Sequence, residues 1–196
     1  MPHSTQLSDL ISAIDEKNAL DPNQENVDGT LIAKELIYGQ RMSECLAEFS
    51  PQASEHLQIA CRAQHIQRWS IPRKDYPMDR PGYKRWRTEL AKFHAQLTAE
   101  LMEEKGYNTE DRERVQHLLQ KKQLKRDAET QTLEDVACLV FLRFHLDDFA
   151  SRHEDEKIID IIQKTWNKMS DDGHAAALKL PFSDAMGELV GKALNG

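Results

Sequence analysis

Residues 132–150, TLEDVACLVFLRFHLDDFA, constrain the fold more than any other stretch of the chain. Leu133, Val136, Ala137, Val140 and Phe144 recur at spacings of three and four, which places them on one face of a helix. Leu139, Phe141 and Leu142 make the remaining faces apolar as well. A helix that is apolar nearly all round has to be covered on every side, so this one belongs in the middle of a helical bundle.

The same spacing recurs elsewhere. Leu7, Leu10, Ile11 and Ile14 predict a first helix, with Ser4 and Thr5 as its caps. Leu36, Ile37, Met42, Leu46 and Phe49 predict a second over residues 31–49, and a third covers residues 53–68. Leu90, Phe93, Leu97 and Leu101 mark a helix from Thr88 that Gly106 ends. Asn108 or Thr109 caps the next, which carries Val115, Leu118 and Leu119. Ile158, Ile159, Ile161, Ile162 and Trp166 mark another, and residues 173–180 and 184–194 predict short closing helices. DPNQENVDGT, residues 21–30, reads as a turn-forming loop. No segment alternates convincingly as a strand does, and no longer repeat is present. The expectation is an all-α fold: a single domain over residues 1–196, built as a bundle of about eight to ten helices.

A chain of 196 residues with 39% hydrophobic and 30% charged residues can bury one sizeable core. It holds no run of eighteen apolar residues, so no membrane span is expected. MPHSTQLSDLISAIDEK lacks the basic start and apolar core of a signal peptide. Cys45, Cys61 and Cys138 are widely spaced in apolar surroundings and predict reduced, buried thiols. Together these features point to the cytoplasm. A formal net charge of −7 argues against non-specific wrapping of nucleic acid.

Against that acidic background stands one basic island, CRAQHIQRWSIPRKDYPMDRPGYKRWR, residues 61–87. Arg62, Arg68, Arg73, Lys74, Arg80, Lys84, Arg85 and Arg87 face only Asp75, Asp79 and, just beyond, Glu89. Trp69, Tyr76, Tyr83 and Trp86 are interleaved with these cations. Pro72, Pro77 and Pro81 break the segment into a loop. Guanidinium groups pair bidentately with phosphate, and aromatic rings stack on bases or sugars. The island predicts a site for a small anionic or phosphorylated ligand. Arg62, Arg68, Arg73 and Arg87 would clamp the phosphate, with Trp69 or Tyr83 stacking. Any single arginine among them is better explained by pairing with neighbouring acids at the surface; the set, broken by prolines and aromatics, points to a site.

Polar residues also fall on apolar stripes. His65 extends the face of Leu57 and Cys61. His94 lies four after Leu90 and three before Leu97. Asp135 precedes Leu139 by four at the start of the most apolar helix, and His117 flanks Val115 and Leu118. Buried imidazoles and carboxylates need partners. Converging from separate helices, such residues suit Zn, Mn or Fe. The alternatives stand beside that reading: a histidine bonded to a backbone carbonyl, and an Asp135 that caps a helix or pairs with an arginine. The acidic run HLDDFASRHEDEK, residues 145–157, reads as an exposed turn between helices rather than a metal cluster.

KELIYGQRM, AQHIQRWSIPRKDYPMDRPGYKRWR, QTLEDVACLVFL and KIIDIIQKTWNKMS together closely resemble the phrases of a family called domain of unknown function 4202, over nearly the whole chain. There is no nucleotide-binding α/β signature. A weaker resemblance links IYGQRMSECLAEF and HLQIACRAQHI to the opening helices of HD-domain metal-dependent phosphohydrolases, and with them KFHAQLTAELMEEKGYNTEDRERVQHLL and LEDVACLVFL to later helices. It implies an HD-like bundle. In it His65 would be the histidine of the paired ligands, His94 and His117 accessory ligands, and Asp135 the closing aspartate. The sequence departs from that pattern at Ile66, where the paired aspartate would stand, and at Tyr38, near the place of the first histidine.

Two functions follow as expectations. The first is a metal-assisted hydrolase for a phosphate ester or nucleotide, in which a divalent metal on His65, His94, His117 and Asp135 activates water. There His65, His94 and Asp135 would be catalytic. The second is a non-catalytic module that binds a nucleotide, a phosphorylated metabolite or RNA through the same basic, aromatic segment.

Overall fold

The computed structural model describes residues 5–195. Ten α-helices and one two-stranded hairpin make up its regular structure, so the fold is all-α as the periodicity predicts. Packing divides the chain, expected to be one domain over residues 1–196, into two compact units, Met1–Leu124 and Lys125–Gly196. No helix among the described residues is long and apolar enough to cross a membrane.

The first unit contains α1 (Thr5–Asn18), β1 (Gln24–Val27), β2 (Thr30–Ala33), α2 (Lys34–Phe49), α3 (Glu55–Ala63), α4 (Arg80–Glu104) and α5 (Thr109–Leu119). Leu10, Ile14, Met42, Ile59 and Met102 have no exposed surface and form its centre. α4 packs on α5, α3 on both α2 and α5, and α1 on α2, α3 and α4. Of the two caps expected for α1, Ser4 lies outside the described residues and Thr5 is already helical. Asn108 caps α5, its side chain accepting from the Asp111 N–H.

Three elements differ from the sequence expectation. The loop at residues 21–30 contains an antiparallel hairpin, with Val27 opposite Thr30. Asp28 and Gly29 both have positive φ (50° and 85°), as a two-residue type I′ turn requires. Asp-Gly is the strongest short signal for such a turn, and strands of four residues are too short to announce themselves by alternation. α3 ends at Ala63 rather than Arg68, so His65 and Arg68 stand on the turn after it. α4 begins at Arg80, eight residues before the expected start at Thr88. Asp79 caps it, accepting from the Gly82 N–H at 2.7 Å. Pro81 in the first helical turn needs no amide partner there, so it starts the helix instead of breaking it. Gly82 is required for the same junction, because a Cβ there would lie 2.1 Å from the Pro77 carbonyl oxygen. α4 ends as predicted. Gly106 takes φ +82°, its N–H reaches the Glu103 carbonyl, and the Tyr107 N–H reaches Met102.

The second unit contains α6 (Ala128–Val140), a π-helical turn (Phe141–His145), α7 (Leu146–Ala150), α8 (Asp155–Trp166), α9 (Asp171–Ala177) and α10 (Asp184–Asn195). α6 and α7 realise the apolar stretch at residues 132–150, interrupted by the wider turn. Leu133, Val136 and Val140 are fully buried. α9 packs against α6, and α10 against α8. Residues 151–157 are exposed, as expected of the acidic turn. Cys45, Cys61 and Cys138 are buried thiols with no disulfide among them.

Candidate functional site

The hairpin of the first unit feeds directly into α2 and sets the position of Glu35. Asp21, buried before β1, accepts from the Glu35 N–H at 3.1 Å and from both nitrogens of Asn23. Arg41 on α2 pairs with Glu25 on β1 at 2.6 Å. Glu35, 6% exposed, thereby sits in the first turn of α2 with its carboxylate held against the turn that follows α3.

That turn carries His65 and Arg68, and three features fix it. Ile66 is fully buried and anchors its middle. Gln67 takes the left-handed conformation (φ 47°), and its N–H donates to the Oδ1 of Asn18, a buried residue at the end of α1. Ile66, which stands where the resemblance places a metal-binding aspartate, is therefore a packing residue. Arg68 lies 5.0 Å over the ring of Trp86, whose indole N–H donates to the Ile71 carbonyl at 2.8 Å.

His65 Nδ1 is 3.2 Å from Glu35 Oε2, and its ring stacks on Tyr38 at 3.9 Å between centroids. A carboxylate can only accept, so this contact places a proton on Nδ1. Tyr38, expected near a ligand position, is instead the platform under His65. Its phenol is pushed well up, first by burial and then by the neighbouring Glu35.

His94 reaches the same place from α4, with its ring centroid 6.1 Å from that of His65. It is 4% exposed, its ring bonds to the backbone of Gln64, and its Nε2 has no hydrogen-bond partner. Its pKa lies well below the usual histidine value, first because of burial, then because of His65, Arg68 and Arg87 nearby. Protonation of the unfolded chain below about pH 6.5 is thus not matched in the folded one. Stability tied to His94 is complete above pH 6.5 and falls below it by up to about 1.4 kcal/mol per pH unit, until the depressed folded pKa is reached. Urea unfolding between pH 7 and pH 5 should show this acid loss in the wild type and a flatter profile in His94→Gln.

A cavity of about 260 Å³ opens beside these residues, within the first unit. Gln64, His65, Arg68, Arg87, Leu90 and His94 line it, together with Thr88, Lys92, Leu119 and Lys121. Four of its lining side chains are cationic and, among the described residues that line it, none is acidic. Behind that lining stands the carboxylate of Glu35, against His65 and Arg68.

Of the residues expected in the site, the structure brings together His65, His94, Arg68 and Arg87. Arg62 belongs elsewhere, because its guanidinium holds Asp15 of α1 through two bonds of 2.7 and 2.5 Å. Arg73 braces its own loop, donating to the carbonyls of Tyr76 and Asp79. Trp69 and Tyr83 do not line the cavity; Tyr83 is 47% exposed, beside Trp86. His117 lies on α5 just before the lining residues Leu119 and Lys121 and does not line the cavity itself. Asp135 works inside the second unit. Its oxygens accept from the Ser170 N–H (2.8 Å), the Ser170 hydroxyl (2.6 Å) and Gln131 (3.1 Å). Asp135 itself caps no helix: Asp127 caps α6, and these bonds hold Ser170, the cap of α9.

Glu35, Gln64, Lys92 and Lys121 were not singled out by sequence reasoning. Glu35 carried one signal, a carboxylate in the first turn of a helix, which by itself indicates only a favourable helix dipole. Among the described residues no three His, Cys, Asp or Glu side chains gather into a set that could hold a metal ion. Of the ligands expected for Zn, Mn or Fe, His65 and His94 meet in the first unit.

The fold and the site define a class: an all-α protein whose first unit holds a cationic, histidine-containing pocket. The family described as Domain of unknown function (DUF4202) matches residues 8–190, and the chain belongs to it. Neither the curated proteins nor the solved structures contain a match to the chain.

Proposed function

We propose that the pocket of the first unit binds a phosphate monoester and hydrolyses it, with His65 as the proton-transfer group. The observation that carries this reading is the joint presence of four cationic side chains and a carboxylate-oriented imidazole in one cavity. Arg68 and Arg87 would hold the phosphoryl oxygens, with Lys92 and Lys121 adding charge at the rim. Trp86 beneath Arg68 keeps that guanidinium in place. Water would attack phosphorus while giving a proton to the His65 imidazole. As the ester P–O bond breaks, the leaving alcohol would take that proton back. Glu35 stabilises the imidazolium formed between the two transfers. From the HD-like resemblance the proposal keeps the substrate class and leaves out the metal ligand set.

Turnover is tested by phosphate release from a panel of sugar phosphates and nucleoside monophosphates. His65→Gln should lower the rate by about 10²–10⁴-fold with little change in binding, as loss of a general acid–base does. Equal rates for the two proteins would refute the role of His65. The second reading is a non-catalytic phosphate-binding module. The same cationic lining supports it, since four such side chains can hold an anion without turning it over. Saturable binding without any phosphate release would establish it.

A further inference from the structure

The floor of the pocket carries a feature that phosphate alone does not explain. His94 Nε2 and Gln64 Oε1 are both buried, both without a hydrogen-bond partner, and both belong to side chains that line the cavity. Gln64 is 7% exposed and His94 4%. The His94 ring nitrogen that bonds to the Gln64 backbone must donate, since a main-chain carbonyl can only accept. With the imidazole neutral, Nε2 is then a bare acceptor, and the amide oxygen of Gln64 is another. A fully ionised phosphate dianion carries no proton to donate to them. Buried acceptors left unpaired are costly, so the site calls for hydroxyl donors beside the anion.

We propose that the ligand is a phosphorylated polyol of about monosaccharide size, whose hydroxyl groups donate to His94 Nε2 and Gln64 Oε1 while its phosphate meets Arg68 and Arg87. This assignment rests on the phosphate-ester reading above and narrows it. The cavity volume of about 260 Å³ falls just under the ~300–1,000 Å³ of sites for drug-sized ligands, which suits a sugar monophosphate. A site built to bond a hydroxyl discriminates strongly against analogues that lack it, because the acceptors are then stranded.

Calorimetric titration of the full chain with ribose 5-phosphate, ethyl phosphate and free ribose tests the inference. Ribose 5-phosphate should bind at least tenfold more tightly than ethyl phosphate, and free ribose should give no heat. In Gln64→Leu and in His94→Phe that preference should collapse, with ribose 5-phosphate falling to the affinity of ethyl phosphate. Equal affinity of the wild type for the two esters would overturn the polyol assignment and leave the phosphate site standing. Failure of every phosphate monoester to bind would overturn the phosphate site itself. The wild-type comparison needs no variant, so a misfolded His94→Phe does not blunt the test.

Discussion

Replacing Arg68 and Arg87 together by Gln is expected to weaken binding of a phosphate monoester by about 100-fold while leaving the fold intact. Hydrogen bonds to a charged group contribute about 1.5–3 kcal/mol each, and tenfold in affinity is 1.4 kcal/mol. Two lost contacts therefore amount to about two decades once solvent screening of the exposed Arg87 is allowed for. The fold should tolerate the change. Arg68 approaches Glu35 at 4.0 Å, and Glu35 keeps its 3.2 Å contact with His65 Nδ1, so the double change does not strand that buried carboxylate. Calorimetry measures the affinity and a urea titration the stability. An affinity within threefold of the wild type would show that the phosphate binds elsewhere. Arg62→Gln provides the contrast. It breaks the pair with Asp15 and should change stability without changing affinity.

Asp135→Ala is the second large effect, and it falls on stability. The carboxylate, 2% exposed, receives the Ser170 N–H, the Ser170 hydroxyl and Gln131. Ser170 in turn caps α9 by accepting from the Gly173 N–H at 3.1 Å. Gly173 is matched to this bracket, since a Cβ there would lie 2.7 Å from Asp135 Oδ1. Removing the carboxylate strands donors buried between α6 and α9, at about 1–3 kcal/mol for each one left unsatisfied. A total of about 2–4 kcal/mol is expected in urea unfolding. At a temperature where the variant is folded, its phosphate affinity should equal that of the wild type. A variant of native stability that no longer binds would instead make Asp135 a ligand-site residue.

These two arginines and this aspartate also mark how far the sequence could be read. The all-α architecture was legible because apolar side chains at spacings of three and four leave few other ways to bury themselves. His94 was legible for the same reason: an imidazole on the stripe of Leu90 and Leu97 has to be buried. Composition flagged the basic island but could not sort its members. Arg62 and Arg68 look alike in the run, and only the fold puts Asp15 against one and Trp86 beneath the other. Glu35 was invisible as a partner of His65 because their meeting depends on how α2 is launched from the hairpin. The prolines misled in one respect. Pro81 after an Asp cap begins a helix, so Trp86 and Arg87 stand on a rigid rod rather than in a loop. Asp135 had two meanings at once, a helix cap or a ligand, and spacing cannot separate them.

Side-chain NMR of the histidine rings during titration with ribose 5-phosphate tests the central claim most directly, because it reports which imidazoles the ligand approaches. Saturable shifts at the ring nitrogens of His65 and His94, with His56, His153 and His174 unmoved, are the predicted result. Saturable binding that leaves His65 and His94 unmoved would contradict the account.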